Sequence, residues 1–387
     1  MRHDDLSIDT LAVHAGLPGR IDGAVSFPVF HSSTYAPRDD ADDEVRYTRL
    51  NNTPNHLQLA AKLAALTGAE AALVTASGMA ATAGVLTSLL AHGDHALFQA
   101  DVYGGTRGFA SQELPRAGVA ASFVALDNPS SWAAALRPTT RLIWVESLSN
   151  PCVRATDIRG VVAFARAHGL VTVVDNTFAS PVNLRPLSLG VDLEVHSASK
   201  YLGGHSDLIA GVVAGSRGRV AAVHERLERW GGCLDPHACF LLERGIKTLA
   251  LRVARQCDNA RALATELAAH PAVAAVHYPG VGPDPIPEAV RAIFRGFGGV
   301  FSLAPAAKAF LAALRLATAA TSLGGVETLV SRPALTSHAG LAPRERARLG
   351  ITDGMVRVSC GIENADDLIA DLQRALNTLA QPPAATG

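Results

Sequence analysis

Lys200 stands in Glu194-Val-His-Ser-Ala-Ser-Lys-Tyr-Leu-Gly-Gly-His-Ser-Asp207, after a short apolar strand pattern, behind Ser197 and Ser199 and ahead of two glycines. A lysine that forms an imine needs a rigid perch, nearby hydroxyls and a backbone that lets a bulky partner approach. Taken alone, a lysine at a strand end is most often a solvated surface charge, so the reading rests on what accompanies it.

Four other stretches carry matching chemistry. Leu73-Val-Thr-Ala-Ser-Gly-Met-Ala-Ala81 reads as a strand, a tight turn and the start of an apolar helix that ends near His92-Gly93. Free N–H groups and the helix dipole at such a start favour a phosphate, although Ser-Gly is also a common cap. Asp101-Val-Tyr-Gly-Gly-Thr106 places Tyr103 after a strand at Ala96–Gln99, where its ring can stack on a flat ligand or simply pack. Leu170-Val-Thr-Val-Val-Asp-Asn-Thr177 reads as a buried parallel strand ending in Asp175. A carboxylate at that end lies where open α/β sheets bind ligands, and a helix N-cap explains the residue equally well. Met355-Val-Arg-Val-Ser-Cys-Gly-Ile-Glu363 sets Arg357 inside a short strand. Its planar fork suits the α-carboxylate of an amino acid; a structural ion pair is the alternative.

One cofactor accounts for all five stretches. Pyridoxal phosphate (PLP) needs a lysine for its aldehyde, donors for its phosphate, a ring to stack on and an acid for its pyridine nitrogen. Ser197 and Ser199 add hydroxyls for the phosphate oxygens.

These motifs together resemble the PLP-dependent transsulfuration family, which comprises cystathionine γ-synthase, cystathionine γ- and β-lyases, methionine γ-lyase and the homoserine-ester sulfhydrylases. The likeness runs from about Thr10 to Glu363 and includes Gly232-Cys-Leu-Asp-Pro236, Arg244-Gly-Ile-Lys-Thr-Leu249 and Ser322-Leu-Gly-Gly-Val-Glu-Thr328. It implies that Lys200 is the Schiff-base lysine and Asp175 the pyridine-nitrogen partner. Gly78 and Met79 would give N–H groups, and Ser197 and Ser199 hydroxyls, to the phosphate. Tyr103 would stack on the ring and assist proton transfers. Tyr47 and Arg49, in Arg46-Tyr-Thr-Arg-Leu-Asn51, match a Tyr-x-Arg pair that reaches a neighbouring subunit's phosphate. Asn150, in Glu146-Ser-Leu-Ser-Asn-Pro151, and Ser322 match positions near the substrate carboxylate, beside Arg357.

Three departures bear on substrate. Asn51-Asn-Thr-Pro-Asn55 replaces the family's usual turn after Tyr-x-Arg. Cystathionine-cleaving members resemble one another in two acids, one just before that tyrosine and one just before the serine of Ser-Leu-Gly-Gly; this chain has Arg46 and Thr321 there. Methionine γ-lyases carry a cysteine two residues after the stacking tyrosine, where this chain has Gly105.

Composition narrows the class further. The chain has 387 residues with 48% hydrophobic content, enough for a large core and about two domains. Its net charge of −1 gives no electrostatic reason for a nucleic-acid or membrane partner. The polar start Met1-Arg-His-Asp-Asp5 lacks the apolar core of a secretory signal. Five cysteines form no spaced framework, which fits a reducing, cytoplasmic setting. Cys233, His237 and Cys239 lack a second cluster that would complete a zinc site, so no metal is expected.

Periodicity gives the organisation. Residues 1–55 read as a polar, proline-punctuated arm with an acidic run at 39–44. Residues 56–245 alternate helix and strand and form a PLP-binding large domain, with strands at Ala71–Thr75, Ala96–Gln99, Leu142–Val145, Leu170–Asp175 and Leu193–His196. Val212 to Ala269 reads as helical with a break at Gly231-Gly232. Residues 246–387 form a smaller α/β domain with strands near Val300–Leu303 and Met355–Ser359. Val281–Pro287 reads as a surface turn. The fold class is α/β, of the aspartate aminotransferase-like PLP-dependent transferase type. The function expected from the resemblance is a carbon–sulfur lyase eliminating at Cγ or Cβ of a thioether amino acid. A γ-replacement enzyme using an acylated homoserine is the alternative, a non-catalytic PLP-binding protein a distant third. A homotetramer with shared active sites is implied.

Overall fold

Five-residue apolar runs separated by helices pair into one sheet, as their length and composition require. A computed structural model describes residues 6–37, 45–126, 128–281 and 286–380 of the chain. The strands are β1 (Ala71–Thr75), β2 (His95–Gln99), β3 (Ala120–Val124), β4 (Thr140–Glu146), β5 (Val171–Asp175), β6 (Leu193–Ser197) and β7 (Gly211–Gly215). Their spatial order is β1-β7-β6-β5-β4-β2-β3. All pairs are parallel except the two made by β7, which runs antiparallel to β1 and β6.

A second sheet follows in chain order, from β8 (Val276–His277), β9 (Val300–Leu303), β10 (Thr318–Ala319), β11 (Leu329–Ser331) and β12 (Val356–Ser359), arranged β10-β11-β12-β9-β8. It is antiparallel apart from β10 with β11. Its core of Phe301, Leu303, Phe310, Val356, Val358, Leu368 and Leu372 is closed by the helices Leu249–Ala268 and Ala365–Ala380.

Alternation along the central strands decides what faces the site. Trp144, Val173 and Val195 point into one apolar cluster with Ala81, Val85 and Leu86 of the helix Gly78–Leu89. Ile143, Val145 and Val174 point into the other. Successive strand residues alternate between faces. Glu146, Asp175 and Ser197 therefore emerge on the same face, at the carboxyl ends of three adjacent strands and beside the start of that helix.

The helical reading of Val212 onward is corrected at its start. Gly211-Val-Val-Ala-Gly215 is β7, buried between β1 and β6. Glycine at both ends permits this: a Cβ on Gly211 would lie 2.2 Å from the Ser77 carbonyl oxygen, and one on Gly215 2.7 Å from that of Asp192. Helices Arg217–Trp230, Pro236–Ile246 and Leu249–Ala268 occupy the rest. The periodicity also passed over β3, whose Ala-Ala-Ser-Phe-Val pattern is half-buried at the sheet edge.

The N-terminal arm is not wholly extended. Ile8–His14 is a helix with Ile8, Leu11 and Ala12 buried. The fully buried Lys62 donates to the carbonyls of Ala12 and Val13 at 2.8 and 3.0 Å and pairs with Glu243 at 3.4 Å. The helix predicted from Leu57 starts at Pro54 and ends at Thr67, with Gly68 left-handed after it. The acidic run 39–44 and most of the proline-rich turn lie outside the described residues. Among the described residues no helix is long and apolar enough to cross a membrane.

Candidate active site

Lys200 follows β6 in a turn held from several sides. Its N–H donates to the Ser197 carbonyl at 3.2 Å, and its own carbonyl accepts from Gly204 N–H at 2.8 Å. Next to it, the buried Tyr201 hydroxyl accepts from Gly299 N–H at 2.8 Å. The Lys200 ammonium donates to Ser322 Oγ at 2.8 Å. Burial, then the Arg357 charge, brings its pKa down to about 8. An amine so placed is a nucleophile near neutral pH.

Ser322 occupies the left-handed region, with φ +84°, a conformation that a side chain other than glycine's disfavours. Neighbouring contacts hold it there. Its carbonyl accepts from Arg357 Nη2 at 2.8 Å, and Gly324 N–H donates to Ser359 Oγ at 3.0 Å. A Cβ on Gly324 would come within 2.7 Å of the Tyr201 nitrogen. The Ser-Leu-Gly-Gly loop thus packs directly on the lysine turn.

Arg357 comes from β12 in the second sheet. Its Nη1 donates to Asn150 Oδ1 at 3.1 Å, and Asn150 precedes Pro151 through a cis peptide bond. The guanidinium is 5% exposed, which lowers its pKa to about 10. Among the described residues no carboxylate forms an ion pair with it. A buried arginine without a counter-anion is costly unless an anion is meant to arrive. The structural ion pair that the sequence left open is not what this residue makes.

On the other side of Lys200, Asp175 Oδ1 accepts from both the N–H and the hydroxyl of Thr177. The same hydroxyl oxygen accepts from Ser197 N–H at 2.8 Å. Desolvation pushes the Asp175 carboxyl above its ordinary value, and the Thr177 bonds oppose this. A positively charged ring nitrogen would keep such a group ionised. The helix-cap alternative is not realised, since the bonds close a local turn at the end of β5.

Ser77 caps the helix Gly78–Leu89, its Oγ accepting from Ala80 N–H at 3.0 Å. The first-turn amides of Gly78 and Met79 precede the helix's own ladder. A Cβ on Gly78 would sit 2.8 Å from Ser197 Cβ and 3.0 Å from its Oγ. Only glycine lets the helix start approach the serine this closely, and the cradle between them has the donor set of a phosphate site. Gly78→Ala should therefore weaken PLP binding about tenfold, ~1.4 kcal/mol, and lower the apo-protein's melting temperature by a few degrees at most, as the helix start and Ser197 are forced apart. Titration of apo-protein with PLP, read by protein fluorescence, checks this; unchanged affinity would remove the cradle from the account.

Tyr103 is 42% exposed, with its ring lying over Gly105. A Cβ at Gly105 would meet the ring at 2.5 Å and Met79 Sδ at 3.0 Å. Three predicted positions stand apart from this arrangement. Ser199 Oγ is engaged with the backbone of Ala210, donating at 3.3 Å and accepting at 3.0 Å. Arg49 Nη1 donates to the Glu228 carbonyl at 2.6 Å, and its guanidinium lies 5.8 Å from the Tyr47 ring centre. Both Tyr47 and Arg49 are exposed, and among the described residues no hydrogen bond links them to Lys200.

Sequence reasoning missed three residues. Thr177 was inside a quoted stretch, but its role needs the register of β5 with β6. Glu146 ends β4 and accepts from Tyr103 N–H at 2.6 Å. His338 is buried with Nε2 lacking a partner, and burial followed by the Arg357 charge holds its pKa near 4. Nothing in its loop sequence signalled that.

A lysine of lowered pKa, a carboxyl at a parallel-strand end, a helix-start cradle and an unpaired buried arginine define a PLP-dependent enzyme acting on amino acids. The chain belongs to the Cys/Met metabolism PLP-dependent enzyme family, whose profile matches residues 9–377. It is 40% identical over 377 residues to the cystathionine gamma-lyase of Bacillus subtilis, covering 96% of this chain and 99% of that one. It is likewise 40% identical over 388 residues to the L-methionine gamma-lyase of Pseudomonas putida, covering 96% and 97%. The solved cystathionine gamma-lyase of Lactobacillus plantarum, complexed with L-serine, superposes with a TM-score of 0.91 at 35% identity, covering 97% of this chain and all of that one. The expected fold class, that of the PLP-dependent transferases, is the one observed.

Proposed function

We propose that this enzyme is a carbon–sulfur lyase that eliminates a thiol from Cγ or Cβ of a thioether amino acid. The observation that carries the reading is the buried, unpaired Arg357, tied through Ser322 to Lys200. It places a carboxylate receptor beside a nucleophilic amine. Bound PLP supplies an electron sink for the charge that develops at the substrate's Cα. Lys200 would hold the aldehyde of PLP and, once freed by substrate, would move protons at Cα and Cβ, and Asp175 would pair with the pyridine nitrogen. Gly78, Met79, Ser197 and Ser199 would hold the phosphate. Arg357, with Asn150 and Ser322, would orient the α-carboxylate, and Tyr103 would stack on the ring and assist proton transfers to the substrate. A γ-replacement enzyme would use the same residues. The three relatives named above are all lyases, which favours elimination.

The arm residues supply the assembly. Tyr47 and Arg49 lie exposed beside the helix Arg217–Trp230, and in this reading they complete the phosphate site of a second subunit. The enzyme is then a homotetramer of paired dimers with shared sites, in the cytoplasm, with no nucleic-acid or membrane partner. The division into an arm at 1–55, a large domain at 56–245 and a small domain at 246–387 belongs to the same proposal.

Substrate choice follows from two positions. Thr321 adjoins Ser322 and Arg46 adjoins Tyr47, where two acids would attract a distal ammonium. A cation at 46 that faces the substrate disfavours that ammonium by about 1 kcal/mol near the surface; an Arg46 that points into solvent or pairs with Asp42, Asp43 or Glu44, which lie outside the described residues, would not. A neutral distal end, such as a methyl thioether, should be preferred to cystathionine. Arg46→Glu should raise kcat/KM for cystathionine relative to the methyl thioether about fivefold, the equivalent of ~1 kcal/mol. An efficient wild type on cystathionine with no change in the variant would refute this preference.

A further inference from the structure

Glu146 is a buried acid that the roles above leave unused, and it touches the ring-bearing loop directly. It ends β4, paired in register with Asp175 at the end of β5. Only 4% of it is exposed. Its Oε1 accepts from Tyr103 N–H at 2.6 Å, and its Oε2 is buried without a partner. Its own N–H donates to Gln99 Oε1 at 2.7 Å, and Thr156 Oγ1 donates to its carbonyl at 2.6 Å. The backbone beneath the carboxyl is therefore fixed, and the carboxyl in turn fixes the start of the Tyr103 loop.

Resting on the PLP reading of the site, we propose that Glu146 is a positioning residue for the reaction. As a hydrogen-bond acceptor it holds the start of the Tyr103 loop, and so the tyrosine that would cover the cofactor ring, in place. Two carboxylates on adjacent strand ends in a dry setting cannot both stay ionised cheaply. Of the two, Asp175 has the Thr177 donors and the ring nitrogen to stabilise its charge. Glu146 has the Tyr103 and Asn150 amides but faces Asp175 and Asp101, and burial and those charges push its carboxyl well above the ordinary range. Oε1 accepts from Tyr103 N–H whether or not Oε2 carries a proton. A neutral side chain of the same shape should do the same work.

Glu146→Gln and Glu146→Leu separate this role from simple packing. The glutamine keeps the accepting oxygen without the charge; the leucine keeps the volume without the oxygen. Each variant is compared with wild type by PLP affinity, visible absorption maximum, kcat and KM, with apo-protein melting as the control for folding. Glu146→Gln is expected within about twofold of wild type in affinity and at the same band maximum. Glu146→Leu is expected to bind PLP about tenfold more weakly and to lose about tenfold in kcat with KM little changed, the size of one buried hydrogen bond. If the leucine variant does not fold, Glu146→Ala takes its place. A leucine variant like wild type, or a glutamine variant as impaired as the leucine one, overturns the inference. A wild type that gives no visible band with PLP overturns the underlying reading of the site instead.

Discussion

Lys200→Ala is expected to abolish the visible absorption band that PLP gives when lysine-bound and to lower turnover about 10⁴-fold, the usual size of losing both a covalent anchor and its proton transfers. PLP itself should still be retained through the phosphate cradle at Gly78 and Ser197, which does not use the amine. The lowered pKa of Lys200, about 8, adds a kinetic signature in the apo-protein. The neutral amine is the form that attacks the aldehyde, so band formation should quicken as pH rises through 8 and then level off. From pH 7 to 8 the neutral fraction grows about fivefold. A rate that is flat across that range would place the reactive amine elsewhere. The variant also tests shared sites. Mixing Lys200→Ala with Arg49→Ala subunits should restore part of the activity if Arg49 serves the neighbour's phosphate. No recovery after verified subunit exchange would count against it.

The second large effect is expected at Arg357. Arg357→Leu should lower kcat/KM for any amino-acid substrate by about 10²- to 10³-fold, since a bidentate carboxylate contact is worth roughly 3–4 kcal/mol. Arg357→Lys should recover little, because an ammonium lacks the planar fork that spans Asn150, Ser322 and a carboxylate. Stability should move the other way. The guanidinium is buried without a counter-anion, so replacing it with an apolar side chain relieves a desolvation cost, and the apo-protein's melting temperature should hold or rise. A sharp fall in melting temperature, with kinetics scaling to the folded fraction, would make Arg357 a structural residue.

Much of the site was legible because its chemistry sits at strand ends that apolar runs mark. Asp175 closes a short strand, Arg357 lies in one and Lys200 follows one by three residues, and their side chains are typed for the reaction. What the sequence withheld depends on register and approach. Glu146 faces Asp175 only because β4 and β5 align residue for residue. Gly78 matters only because Ser197 comes within a carbon's width of it. β7 was misread as helix because a five-residue Gly-Val-Val-Ala-Gly run has no period of its own, and its strand character comes from burial between two partners. The second sheet gave a clearer signal at β9 and β12 than at the two-residue β8 and β10, which are too short to carry a pattern.

Elimination of a thiol from a thioether amino acid is the reaction proposed for this site. The most direct test incubates purified, PLP-loaded enzyme with a methyl thioether amino acid and with cystathionine, without an acceptor thiol, and measures 2-oxo acid and ammonia. A parallel reaction contains an acylated homoserine and a thiol. Equimolar 2-oxo acid and ammonia from the thioethers, at a kcat/KM well above that for thioether formation from the ester, is the expected result. Efficient thioether formation with only trace 2-oxo acid would contradict it and make the enzyme a γ-replacement transferase.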